Sequence, residues 1–246
     1  MARTLLIHGM VAGAVAGLVA FAVARLFGEG AVAQAIAFEG AHAASHGEAQ
    51  GPESVSRDVQ AGIGLLTATV LYGTALGGAF ALVFAALQGR LRSLEGRGLA
   101  GALGLAGFVT VGLVPFLTYP PNPPAVGRPE TIGQRTVLYL AIVGISVLSA
   151  VRAALTARRL RPRLGGWNAG VAGGLGFVVL VTAAGMTLPS YDEVGPDFPA
   201  ATLYEFRLAS IVIQAAVWAT LGLLFGALTQ ISPRDAAPTP LPAGSR

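Results

Sequence analysis

The residues best suited to chemistry in this 246-residue chain lie in one short stretch, Glu39-Gly-Ala-His42-Ala-Ala-Ser-His46-Gly-Glu48. His42 and His46 are four residues apart. On a helical turn their rings share a face and can bind one divalent ion through ring nitrogens. Glu39 and Glu48 could add carboxylate oxygens. Imidazole with carboxylate suits cobalt, nickel, zinc or copper(II) better than magnesium. The chain has no cysteine, which removes thiolate sites, disulfides and cysteine nucleophiles, and disfavours copper(I). The bland alternative is a solvated loop with incidental histidines, because Gly40 and Gly47 weaken a helix there.

Other polar residues cluster at the ends of apolar runs. Asp192, Glu193 and Asp197 are the carboxylates best placed, after the first loop, to receive a cation. Arg57, Arg135 and Arg207 each open an apolar run. They read as interfacial anchors paired to neighbouring acids or as charges around a vestibule; a bare arginine ring would repel a cation. Asp58 and Glu205 suit helix N-termini. Gln60, Gln134 and Gln214 are candidates for hydrogen bonds between helices. His8 reads as a packing residue or a pathway residue, and Met10 and Met186 as filler before thioether ligands. No Ser–His–Asp set, HExxH motif or Gly-rich phosphate loop is present, so the chain is not expected to be an enzyme. No permanent cofactor is expected; the metal would be cargo.

Composition says what must position these groups. The chain is 54% hydrophobic and 11% charged, whereas soluble domains carry about 25% charge. It is an all-α integral membrane protein in contact with the lipid bilayer. Apolar runs at 4–27, 59–87, 99–117, 136–157, 167–188 and 203–230 are each long enough for a core of about 30 Å, giving about six transmembrane helices in a membrane domain spanning 1–230. Gly28–Ser56 reads as a polar loop, Arg158–Arg163 as a short basic turn and 231–246 as a disordered cytoplasmic tail. All 16 basic residues are arginine. With six spans, eleven fall on the side of the termini and five on the other, so the positive-inside rule places both termini in the cytoplasm of a bacterial inner membrane. Of 12 acids, only Glu95 and Asp235 lie on that side, leaving an acidic outer face that attracts cations. The arginines sit at span ends, so the basic pI points to orientation and not to nucleic acid.

Spans one, three and five are glycine-rich, with Gly9, Gly13 and Gly17, then Gly101, Gly104 and Gly107, then Gly170, Gly174 and Gly185. Together with the Arg-led even spans, this suggests three related helical hairpins; simple alternation by topology would give the same pattern. Between spans three and four lies Pro115–Arg135, with six prolines. Pro120, Pro121, Pro123 and Pro124, around Asn122, cannot continue a helix or join a sheet. They predict a stiff outer cap that shapes the mouth without binding metal.

The segments IAFEGAHAASHGE, SRDVQAGIGLLTATVLYG, PFLTYPPNPPAVGRPETIGQRT and DFPAATLYEFRLASIVIQ resemble the CbtA family of cobalt transporter subunits, from span one to span six. The resemblance implies an integral membrane protein for cobalt uptake linked to cobalamin metabolism, alongside a small single-span CbtB partner with a histidine-rich metal site. Its members are described with about five spans, and it supplies no ligand set. The expected function is divalent cation transport, with cobalt first. A non-transporting scaffold for a metal-binding partner and a permease for an uncharged small molecule are the alternatives, because the span centres offer only hydroxyls such as Thr67, Tyr72 and Ser146.

Overall fold

A computed structural model describes residues 2–47, 55–90 and 95–231. Glu48 and the tail 232–246 lie outside the described residues. The described regular structure is helical throughout. Five helices are long and apolar enough to cross a bilayer: α1 (Ala2–Ser45), α2 (Arg57–Leu87), α3 (Gly96–Thr118), α4 (Ile132–Thr187, after a single 3₁₀ turn at Pro129–Thr131) and α5 (Ala200–Ile231).

Glycine spacing builds the bundle. Gly9, Gly13 and Gly17 repeat every four residues and lie along one face of α1. They meet Gly77, Gly73 and Thr69 of α2, running antiparallel, so closely that a methyl group on Gly9, Gly13, Gly17, Gly73 or Gly77 would strike backbone of the facing helix. Small-residue stripes let membrane helices approach this way. Next to that stripe, Ala12, Ala16 and Ala20 are buried and form the core with α2 and α5 residues. Phe225 of α5 packs edge-to-face on Phe80 and Phe84 of α2, with ring centroids 5.3 and 4.9 Å apart. On the other flank of α5, a Cβ on Gly104 of α3 would lie 3.1 Å from the Cα of Gly222, and Gly107 lies beneath the Trp218 indole. Thus α5 is the shared wall between α1 and α3. The start of α1 and the end of α5 share one pole; the proline segment occupies the opposite one, the cap pole.

Two helices differ from the sequence expectation. Span one does not end at Phe27. A π-helical turn at Ala24–Gly28 leads directly into Glu29–Ser45, so α1 has 44 residues and is about 66 Å long, roughly twice an apolar core. The stretch read as a loop contains seven alanines among its 17 residues, the best helix formers. Tertiary contacts with the start of α5 hold it: Ala31 and Ala35 are buried, Thr202 donates to Gln34 at 2.8 Å, and Phe38 packs edge-to-face on Phe198.

Helix α4 runs for 56 residues but is broken at Gly165, where φ is +75°. That left-handed geometry suits glycine. The basic turn expected at Arg158–Arg163 is helical, with Pro162 inside the helix, and the chain reverses just beyond it. The arms 132–164 and 166–187 lie side by side, since a Cβ on Gly173 would sit 2.8 Å from the carbonyl of Ala153. This element forms the outer layer: 17% of its most apolar window is buried, against 33–39% in the other four helices. A methyl added to Gly170 or Gly174 would meet no neighbour within 4 Å, unlike one added to the glycines of α1.

Candidate functional site

Of the first group of expected ligands, His42, His46 and Glu39 lie among the described residues and Glu48 does not. His42 and His46 are adjacent at the exposed end of α1, with ring centroids 4.4 Å apart. His46 Nδ1 lies 2.9 Å from the His42 carbonyl and 3.1 Å from Ser45 Oγ, so that nitrogen is engaged locally and Nε2 is left for a ligand. Glu39 is exposed on the same helix. Among the described residues, no group of three or more His, Cys, Asp or Glu comes together to hold a metal ion. Among the described residues the pair offers two ring nitrogens to a metal ion.

The polar groups converge at the cap pole instead, around a cavity of about 610 Å³. Its roof is the segment Tyr119–Asn122. One wall is the first turns of α4, with Arg135, Thr136 and Tyr139. The opposite wall belongs to α3 and α5, with Gly112, Phe116, Arg207, Ser210 and Gln214, and the rim to Tyr191, Asp192 and Glu193. Arg207, Ser210 and Gln214 follow at three and four residues, the spacing of one helix face. Polar groups thus continue about 10 Å into α5. Gln214 faces the π-helical turn Phe108–Leu113 of α3, where a Cβ on Gly112 would lie 3.8 Å from its Oε1. Such single-turn distortions are frequent at functional sites.

Two clasps hold the roof. The first is centred on Glu193, whose side chain is only 5% exposed. It accepts hydrogen bonds from the Thr131 hydroxyl, from the backbone N–H of Arg128 at 3.2 Å and from Arg135 Nη1 at 2.6 Å. The Thr131 hydrogen bond above all, with Arg128 and Arg135 adding to it, holds this carboxyl below its ordinary range despite burial. Gly127 passes between the partners at φ +124°; a Cβ there would lie 2.6 Å from Arg135 Nη1. Tyr119 donates to the Pro189 carbonyl at 2.8 Å, and Tyr191 to Gln134 Oε1 at 2.7 Å. Burial, with the neighbouring Tyr191 second, pushes the Tyr119 phenol up, so it stays protonated as a donor. The second clasp joins the roof to α5: Arg207 donates through Nη2 to Asn122 Oδ1 at 3.0 Å and through Nε to the Pro121 carbonyl at 3.3 Å.

The expected residues are therefore divided. Arg57 is paired, with Glu29, which Arg25 also approaches at 3.8 Å. Arg135 is paired with Glu193. Arg207 has neutral partners, and among the described residues no carboxylate lies within ion-pair distance of it. Asp192 is exposed on the rim, its Oδ1 accepting from the Val194 N–H at 3.3 Å. Asp197 is exposed and outside the cavity lining. Pro120, Pro121 and Asn122 line the cavity; Pro123 is buried beneath the roof and Pro124 is exposed. Gln60 bonds locally to the Val55 carbonyl. Sequence reading missed Tyr119, Tyr139, Tyr191 and Ser210. The one available signal was the 207–210–214 polar spacing in an otherwise apolar run.

A family model described as probable cobalt transporter subunit (CbtA) matches residues 2–230. No curated protein and no solved structure matches the chain.

Proposed function

We propose, from the premise that this chain belongs to the CbtA family, that it is the membrane subunit through which cobalt is taken up for cobalamin metabolism. The family match across residues 2–230 carries the reading. The protein is a multi-pass helical membrane protein, and its family is one of transporter subunits and not of enzymes. In this reading the chain crosses a bacterial inner membrane six times, the two arms of α4 counting separately. The break at Gly165 and the approach of Gly173 to Ala153 support that count. Both termini are cytoplasmic and the cap pole is external, as the arginine distribution supports. A relationship among three hairpins fits the placement of Arg57, Arg135 and Arg207 at one pole.

The cargo is first concentrated by the acids of the outer face, including Asp192 and Asp197. His42 and His46, with Glu39 and Glu48 nearby in sequence, exchange some of its water. It then enters the cavity beneath the proline roof. A second reading is a scaffold that holds a CbtB-like, single-span, metal-binding partner. The specific observation in its favour is that no three ligating side chains converge among the described residues.

Cobalt accumulation in cells with and without the chain separates the two readings when the partner is supplied in both. Uptake that depends on the chain, and falls severalfold on Asp192→Asn, supports transport. Uptake needing only the chain's presence, and indifferent to every cavity substitution, favours the scaffold. His42→Ala with His46→Ala tests the collecting site alone, and unchanged uptake in that double variant removes it.

A further inference from the structure

We propose that the cavity receives its cargo as a carboxylate chelate of the metal and not as a bare ion. This rests on the cobalt-transport reading, names the substrate class of that site, and places chelation after the ion has been collected at the outer face and before it enters the cavity. The argument begins with donors. A divalent first-row ion held by side chains needs several N, O or S ligands at once. The cavity lining contains no histidine and two carboxylates, Asp192 and Glu193. Glu193 is already occupied by Thr131, Arg128 and Arg135. Asp192 alone is left, and one carboxylate does not strip a hydrated ion. A chelator brings its own ligands and removes that requirement.

Size points the same way. Six waters at about 30 Å³ each give a hydrated ion roughly 180 Å³, under a third of the cavity of about 610 Å³. The cavity falls within the range of about 300–1,000 Å³ typical of organic ligands. Its walls also suit an organic molecule, with Phe116, Ile132 and Ile213 beside the tyrosines.

Charge is the third observation. Arg207 faces this space, part-buried, and its hydrogen bonds go to neutral oxygens of Asn122 and Pro121. A guanidinium in that position would repel a bare cation. With its Nε–Nη2 edge held by Pro121 and Asn122, its Nη1–Nη2 edge is left to grip a planar carboxylate through two parallel N–H groups. Seven residues deeper on the same face, Gln214 offers an amide for a further oxygen of the chelator.

The test uses the full chain in lipid nanodiscs and isothermal titration with three probes: cobalt(II) citrate, citrate alone and aqueous cobalt(II). The chelate should bind at least tenfold more tightly than either component. Arg207→Lys keeps the charge but loses the fork, and should weaken chelate binding about tenfold. Gln214→Ala leaves both clasps intact and should weaken it severalfold. Unliganded melting temperatures show whether each variant is folded. Equal affinity for aqueous cobalt(II), or for citrate alone, overturns the inference, as do two folded variants that bind the chelate like the wild type. Chain-dependent uptake with no chelate preference sinks this inference and leaves the transport reading. A chelate preference without chain-dependent uptake sinks the transport reading and leaves the carboxylate site.

Discussion

The glycine seam between α1 and α2 makes a quantitative prediction with a control inside the same molecule. In Gly13→Ala the new methyl would meet the Gly73 carbonyl oxygen, and would lie 2.8 Å from the Gly73 carbonyl carbon and 2.9 Å from the Gly77 Cα. Ordinary carbon contacts are about 3.5–4.0 Å, so the helices must part by roughly 1 Å. These neighbours are backbone and cannot rotate away. Overpacking of this kind costs about 1–3 kcal/mol, and a gap of that size forfeits a quarter to a half of each dispersion contact along the seam. Gly170→Ala makes the same chemical change where nothing lies within 4 Å. Both variants gain the same propensity for helix, up to about 1 kcal/mol, so the difference between them isolates the seam. Gly13→Ala should be less stable than Gly170→Ala by about 1–3 kcal/mol, at least a fivefold change in the folded-to-unfolded ratio. Reversible unfolding in mixed micelles, followed by circular dichroism, measures it. Equal stabilities, or a less stable Gly170→Ala, would refute a backbone-close seam.

Two further predictions concern the roof. Gly127→Ala forces a side chain into φ +124° and against Arg135, a backbone cost of about 1–3 kcal/mol; hydrogen exchange across Tyr119–Thr131 should accelerate, whereas Gly133→Ala, with open space around it, should leave exchange unchanged. Glu193 has a depressed pKa in the folded protein, so the stability it contributes is present above its ordinary value of 4.5 and is lost as pH falls through the lower folded value. Roof protection, corrected for intrinsic exchange, should therefore be level from neutral pH down to 4.5 and fall only below it, while Glu193→Gln should show weak protection across the whole range.

The helices and the proline segment were legible because hydropathy and proline chemistry act locally. Arg57, Arg135 and Arg207 were legible as residues of one pole, since each opens an apolar run. Their partners were not. Arg135 finds Glu193 58 residues away and Arg207 finds Asn122 85 residues away, and no local rule links such positions. The extension of α1 was missed for a different reason: glutamate, histidine and glycine gave Glu29–Ser45 the look of a loop, whereas its alanines and its contacts with Phe198 and Thr202 keep it helical. The glycines were half legible. Those of α1 and Gly104 and Gly107 of α3 sit in close contacts, but Gly170 and Gly174 do not, because spacing cannot say which helix face meets a neighbour. Gln214 was visible as a polar residue in an apolar run; that it ends a polar stripe beneath a roof required α3 and α4 to be in place.

The overhang of α1 has a mechanical consequence. His42 lies 13 residues beyond Glu29, about 20 Å along the helix, ahead of the apolar belt. The same overhang leans on Phe198 and Thr202, and the short link carrying Phe198 also carries Glu193, the hub of the roof. Tip and roof thus share one strip of backbone. A partner or ion that moved the tip would bear on the roof through this link as well as on the start of α5.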